Sequence, residues 1–193
     1  MMIGSLHHLD RRSTCSRRPS PSPRRDPLET TIIAPVTVSG MDITFRRDML
    51  GWIGATHFRL DPIDGPVPGM FAELRCTDTV RLHSGLAVPS PHFLVVTPGY
   101  LWPDYQVALD DEFADSLDIV VQSDAALLAI VTQRVPLNRS TVNLFSPIVV
   151  NCRTGSADQF VPTVNEVEAG WRVRTPVPSS LAPGSGREGG LPC

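Results

Sequence analysis

Six carboxylates fall within fifteen residues: Asp104, Asp110, Asp111, Glu112, Asp115 and Asp118. Paired carboxylates can move protons or hold calcium. This run contains no DxDxDG loop, however, and acids at a helix start also serve its partial positive charge. Two readings follow. One is a solvated helix start. The other is an acidic docking face that steers a basic partner and repels polyanions. Just upstream, Tyr100-Leu101-Trp102-Pro103-Asp104-Tyr105 sets three aromatics within six residues. Trp102 and Tyr105 either staple this loop to a sheet or offer a contact surface, because Tyr and Trp are favoured in interface hot spots.

The other reactive side chains do not converge in sequence. His57, His83 and His92 show no HxH or HxxxH spacing that would bring ligands together. His7-His8 is too sparse for a metal site. Cys15, Cys76, Cys152 and Cys193 form no CxxC pair, so neither a zinc site nor a disulfide framework is indicated. Reduced thiols in a cytosol are the simplest expectation. No GxxxxGK[ST], strand-linked GxGxxG or GxSxG occurs, and Gly184-Ser185-Gly186 reads as linker. A hydrolase or lyase built on Asp104, Asp110 or His92 would need a constellation that the spacing does not offer. The expectation is a non-catalytic protein without metal or cofactor.

The chain has 193 residues, 19 prolines and 14 glycines, which leaves little room for long helices. Its net charge of −3 excludes a generally basic, nucleic-acid-coating protein. All 17 basic residues are Arg. Arg suits recognition of phosphate or carboxylate, but their scattering fits codon bias in a GC-rich genome as well. No apolar run is long enough to span a bilayer, and no apolar stretch follows the basic N-terminus as in a signal peptide.

Composition divides the chain. Residues 1–40 are rich in Arg, Ser and Pro, with six arginines against Asp10, Asp26 and Glu29. That segment is net +3, so the rest is −6. It buries too little apolar area to order itself and is expected to be a largely disordered basic extension. Residues 177–193 are expected to form a flexible Pro/Gly tail. Between them, residues 41–176 are long enough for one core.

The elements that must position the acids and aromatics are mostly short strands. Ile32–Val38, Asp42–Phe45, Thr56–Leu60, Phe71–Cys76, Thr79–Leu82 and Phe93–Val96 all read as strands, the last buried on both faces. One helix is expected over Asp110–Leu117, with Phe113 and Leu117 on one face. Ala125–Thr132 ends in Ile130-Val131-Thr132 without a cap and reads as strand. Val142–Phe145, Ile148–Asn151, Phe160-Val161 and Trp171-Arg172-Val173 complete the series. Many short strands with a single helix indicate a mainly β protein, an antiparallel small barrel or sandwich.

An ordered set of these segments resembles the flagellar assembly factor FliW family. Asp42-Ile43-Thr44-Phe45 is similar to the family's "ITF" strand, and Phe58-Arg59-Leu60 to its "F.L". Phe93-Leu94-Val95-Val96-Thr97-Pro98 resembles "FLVVNP", Pro103-Asp104-Tyr105 resembles "PDY", and Ile130-Val131-Thr132 resembles "IVT". Thr141 through Asn151, TVNLFSPIVVN, resembles "T.NLLAPIVIN". The likeness covers about residues 41–176. It departs at the "GLPGF"-like turn, where Met49 and Leu50 precede Gly51 and Trp52, and in a longer stretch from Arg81 to Pro91.

The resemblance implies a compact β-barrel-like cytoplasmic protein without catalysis, acting as a monomer. It implies two protein partners and no direct nucleic acid or membrane contact. One partner is CsrA, an RNA-binding translational repressor; the other is flagellin. Flagellin held in the cytosol occupies the factor and leaves CsrA free to repress flagellin translation. Once flagellin is secreted, the freed factor binds CsrA away from its RNA site and lowers its RNA affinity. The expected contact residues are Tyr100, Leu101, Trp102, Pro103, Asp104, Tyr105, Asp110, Asp111, Glu112 and Asn143. Without that likeness, a generic β-barrel module for another partner is the alternative.

Overall fold

The structure is a computed structural model that describes residues 29–31, 40–64, 67–81, 84–162 and 172–179. Eleven strands occur among the described residues: β1 (Glu29–Thr31), β2 (Met41–Phe45), β3 (His57–Pro62), β4 (Phe71–Cys76), β5 (His92–Val96), β6 (Gln106–Ala108), β7 (Ala125–Thr132), β8 (Thr141–Val142), β9 (Ile148–Asn151), β10 (Ser156–Gln159) and β11 (Thr175–Pro176). One α-helix, α1 (Asp111–Ser116), lies between β6 and β7. The main sheet runs β11-β8-β7-β5-β4-β3-β2-β10-β9, and a β7–β9 pairing closes seven of its strands into a barrel. Closure removes the free edges that an open sheet would expose.

The eight-residue β7 makes this closure possible. Its first half pairs with β9, from Ala125↔Asn151 to Leu128↔Ile148, and its last residues pair with β8. Its other edge pairs with β5. A strand buried on both faces reads as a continuous apolar run, as AALLAIVT does. Ala126 and Leu128 enter the barrel interior beside Ile43, Phe58, Leu74 and Ile148. Leu127, Ala129 and Val131 face outward into a second core, formed where the β5–β7 connection lies against the barrel wall. Residues 97–124, which carry most of the expected contact residues, are thus a covering layer of the fold.

Three sequence expectations need correction. The barrel is not wholly antiparallel, because β10 runs parallel to β2. The Gly155 turn allows this close approach: its φ is +75°, and a Cβ there would sit 2.5 Å from the Asp42 carbonyl oxygen. Thr79–Leu82 does not form a strand in its described part, where only Arg81 makes a bridge, to Ala87. The packed chain also continues past residue 176, since Val177 is buried and its N–H donates to the Ser140 carbonyl at 3.1 Å. Ile32–Val38, Trp171, His7-His8, His83, and most of both expected tails lie outside the described residues. Within the N-terminal segment, Glu29–Thr31 pairs with β6.

Candidate partner-binding face

The covering layer begins just beyond β5, where Pro98 starts a single 3-10 turn, Pro98–Tyr100. Pro98 accepts at 2.9 Å from both Leu101 N–H and Trp102 N–H, and Tyr105 N–H donates to the Trp102 carbonyl at 2.9 Å. These bonds curl Tyr100–Tyr105 into a tight loop. Tyr100, Leu101 and Trp102 are half-buried against the outer core, while Pro103 and Asp104 are exposed at the tip. Tyr105 is buried, and its hydroxyl donates to the Leu144 carbonyl at 2.7 Å. Burial pushes its phenol well above the ordinary value.

After β6, Asp110 caps α1 by accepting from Phe113 N–H at 2.6 Å. A carboxylate in that position satisfies an amide the helix leaves unpaired. Asp111 and Glu112 occupy the first turn, exposed to solvent. Asp110 therefore works for the helix as its cap, while Asp111 and Glu112 stand exposed beside it. The inner side of α1 buries Ala114 and sets Phe113 edge-on to Phe160, with ring centres 5.1 Å apart. Leu117 is fully buried just beyond the helix.

Other side chains anchor the layer. The Arg46 guanidinium donates to the Ser116 carbonyl at the end of α1. Buried Asn151 donates to the Leu117 and Asp118 carbonyls at 2.8 and 3.0 Å and accepts from Arg153 N–H at 2.8 Å. Asp118 sits there with φ +55°, a conformation that Asp tolerates better than most residues. Asn143 is half-buried, and its side-chain oxygen accepts from Ser146 N–H at 3.2 Å. It shapes the turn before β9 and is adjacent to Leu144, the acceptor for Tyr105.

The expected contact residues thus fall into two groups. Asp104, Pro103, Asp110, Asp111 and Glu112 form the exposed rim of one layer. Tyr100, Leu101, Trp102, Tyr105 and Asn143 build or anchor that layer. His92 begins β5 opposite Arg75 on β4, on a different element from Asp104 and Asp110. Sequence reasoning gave no role to Asn151, Arg46 or Asp158, because their partners lie far away along the chain.

This arrangement of barrel and covering layer can be set beside known proteins. A model of the FliW protein family matches residues 27–177. The chain belongs to the FliW family. Its relatives include the flagellar assembly factor FliW of Bacillus subtilis, 38% identical over 119 residues, covering 62% of this chain and 76% of that protein. The flagellar assembly factor FliW of Oceanobacillus iheyensis is 32% identical over 108 residues, covering 55% of this chain and 74% of that one. A crystal structure of the flagellar assembly factor FliW superposes with a TM-score of 0.57 at 23% identity, over 70% of this chain and 84% of that chain. At that identity the superposition bears on the fold. The FliW match reaches back over Glu29–Thr31, the strand that pairs with β6.

The departure at the FliW turn is also explained. Met49 is buried and Leu50 exposed, while Gly51 keeps a φ of +87°. Met49 N–H donates to Ala55 at 3.0 Å, and Trp52 N–H to Met49 at 2.8 Å. The turn therefore closes without the proline, because the position Leu50 occupies faces solvent.

Proposed function

We propose that this chain is a flagellar assembly factor that works by binding, not catalysis. In the cytoplasm it binds flagellin and CsrA, and it antagonises CsrA repression of flagellin translation. The observation that carries this reading is the FliW family match across residues 27–177. The exposed acids at the start of α1 supply a mechanism. With this chain docked on CsrA away from its RNA site, Asp111 and Glu112 repel RNA phosphates within a Debye length of roughly 8 Å.

The test is calorimetry with the full chain against flagellin and CsrA from the same organism. The expected result is saturable binding to each, with one copy of this chain per CsrA subunit. Binding to one alone would keep only that arm of the proposal. Failure with both, using protein shown to be folded by circular dichroism, would leave a β-barrel module with another partner.

A further inference from the structure

The covering layer, residues 97–124, is charged in one sense only. It contains seven carboxylates and no Arg, Lys or His. At its far end Asp124 is paired with Arg153 at 3.1 Å. The ion pairs among the described residues do not reach Asp104, Asp110, Asp111 or Glu112, all of them exposed.

The strand β1 leads a set of cations to these acids. It runs antiparallel to β6, with Thr31 opposite Gln106 and Glu29 opposite Ala108. Following β1 backwards therefore follows β6 forwards, towards Leu109 and the acids from Asp110 onward. The sequence before Glu29 carries Arg11, Arg12, Arg17, Arg18, Arg24 and Arg25 against Asp10 and Asp26. Arg25 and Arg24 precede Glu29 by four and five residues, an extended reach of at most about 14 and 18 Å. The six residues of α1 rise only about 9 Å. The acids at its start are thus within the span of both arginines.

An exposed ion pair contributes little by itself. Several arginines on a short tether differ, because the anchor holds them at a high effective concentration beside the acids. They need no fixed geometry, so a segment too poor in apolar residues to build a core suits the task.

We propose that the basic segment, residues 11–25, seats on the acids of its own covering layer, with β1 as its anchor. The chain supplies from its own sequence the cations that this layer lacks. One consequence rests on the proposed function. The seated arginines offset the acids that repel RNA phosphate, so the arm is a brake on inhibition of CsrA.

The chain's 17 basic residues are all Arg, so Arg24→Lys with Arg25→Lys introduces its only lysines and keeps its charge. A zero-length carbodiimide then couples each new amine to whichever carboxylate it touches, and peptide mapping locates the amide. The experiment uses the full chain, dilute, with neither partner present and the fold checked by circular dichroism. Coupling to Asp26 and Glu29 is the internal reference, since both neighbour the lysines in sequence. Beyond them, coupling should favour Asp104, Asp110, Asp111 and Glu112 at least about fivefold over the exposed Asp42, Asp48 and Asp64 elsewhere on the barrel. In about 1 M salt, where the Debye length is about 3 Å, that excess should disappear. Even coupling over all the exposed acids, or an excess that salt leaves intact, overturns the proposal. Cross-linked dimers in place of internal amides would assign the acids to the arm of a second copy, which also overturns it. With no flagellin or CsrA in the assay, failure here leaves the proposed function standing, and failure of that function leaves the arm standing.

Discussion

The Tyr105 hydroxyl donates to the Leu144 carbonyl at 2.7 Å, across 39 residues of chain. It ties the Pro103-Asp104-Tyr105 loop to the Thr141–Asn151 segment. Two stretches that look like separate signatures in the sequence are thus one structural joint. The phenol fills the outer core beneath the loop and satisfies a backbone acceptor there.

Tyr105→Phe keeps the ring and removes the donor. It leaves the Leu144 carbonyl short of a partner in a buried place, at a cost of about 1–3 kcal/mol. Chemical denaturation should show a lower midpoint with an unchanged slope. A variant as stable as the parent would mean that this bond contributes nothing net.

Much of this joint was hidden from the sequence, and the reason is physical. β7 was legible because both its faces are apolar, and α1 because its acids precede an apolar i, i+4 pair. β10 was not legible. Its residues, Ser156-Ala157-Asp158-Gln159, have a polar pattern, yet the last three are buried. Asp158 is answered by Arg47, and the Gln159 amide donates to the Ser146 carbonyl at 3.2 Å. Polar strands of this kind are specified by distant partners, which periodicity does not record. For the same reason the exposed acids and a stapling role for Tyr105 could be read from the sequence, whereas the bond of Tyr105 to Leu144 and the turn held by Asn143 could not. Thr79–Leu82 misled in the opposite sense: it has strand-like composition, but its described residues form only the Arg81–Ala87 bridge.

Asn151 anchors the covering layer from below. Its amide serves two carbonyls at the end of the α1 segment, and its oxygen serves two amides of the following turn, Arg153 at 2.8 Å and Thr154 at 3.3 Å. Asn151→Ala should cost at least about 2 kcal/mol, because the buried amide's bonds to the Leu117 carbonyl and from the Arg153 N–H are both lost. Amide hydrogen exchange should locate the damage, with faster exchange in residues 111–124 than in β3 and β4. Uniform acceleration everywhere would show that the layer and barrel open as one unit.

Asp78 makes stability depend on pH in a stated direction. Partial burial raises its carboxyl pKa, but the N–H groups of His57 and Thr56, the Thr56 hydroxyl and the His57 charge outweigh that and hold it below the ordinary range. A carboxyl depressed in the fold contributes its stability above the unfolded-state pKa and loses it as pH falls through the folded value. Asp78→Asn should therefore lower the melting temperature at neutral pH, and the gap to the parent should close under acid conditions below the ordinary carboxylate range. A gap independent of pH would show that shape, not charge, is what Asp78 supplies.

The α1 acids separate structure from recognition when they are neutralised conservatively. Asp110→Asn preserves the cap, since Asn is as good as Asp in that position. Asp111→Asn and Glu112→Gln touch only the exposed first turn. The triple variant should keep its fold, losing well under about 1 kcal/mol per site from weaker interaction with the helix dipole. If the acids repel RNA phosphates from a bound CsrA, the variant should inhibit CsrA–RNA binding about three- to tenfold less well at low salt. Raising the salt should shrink the difference, because screening weakens the parent's advantage. An inhibition constant unchanged at every salt concentration would remove electrostatic repulsion from the mechanism. It would leave inhibition to a change of shape in CsrA on docking.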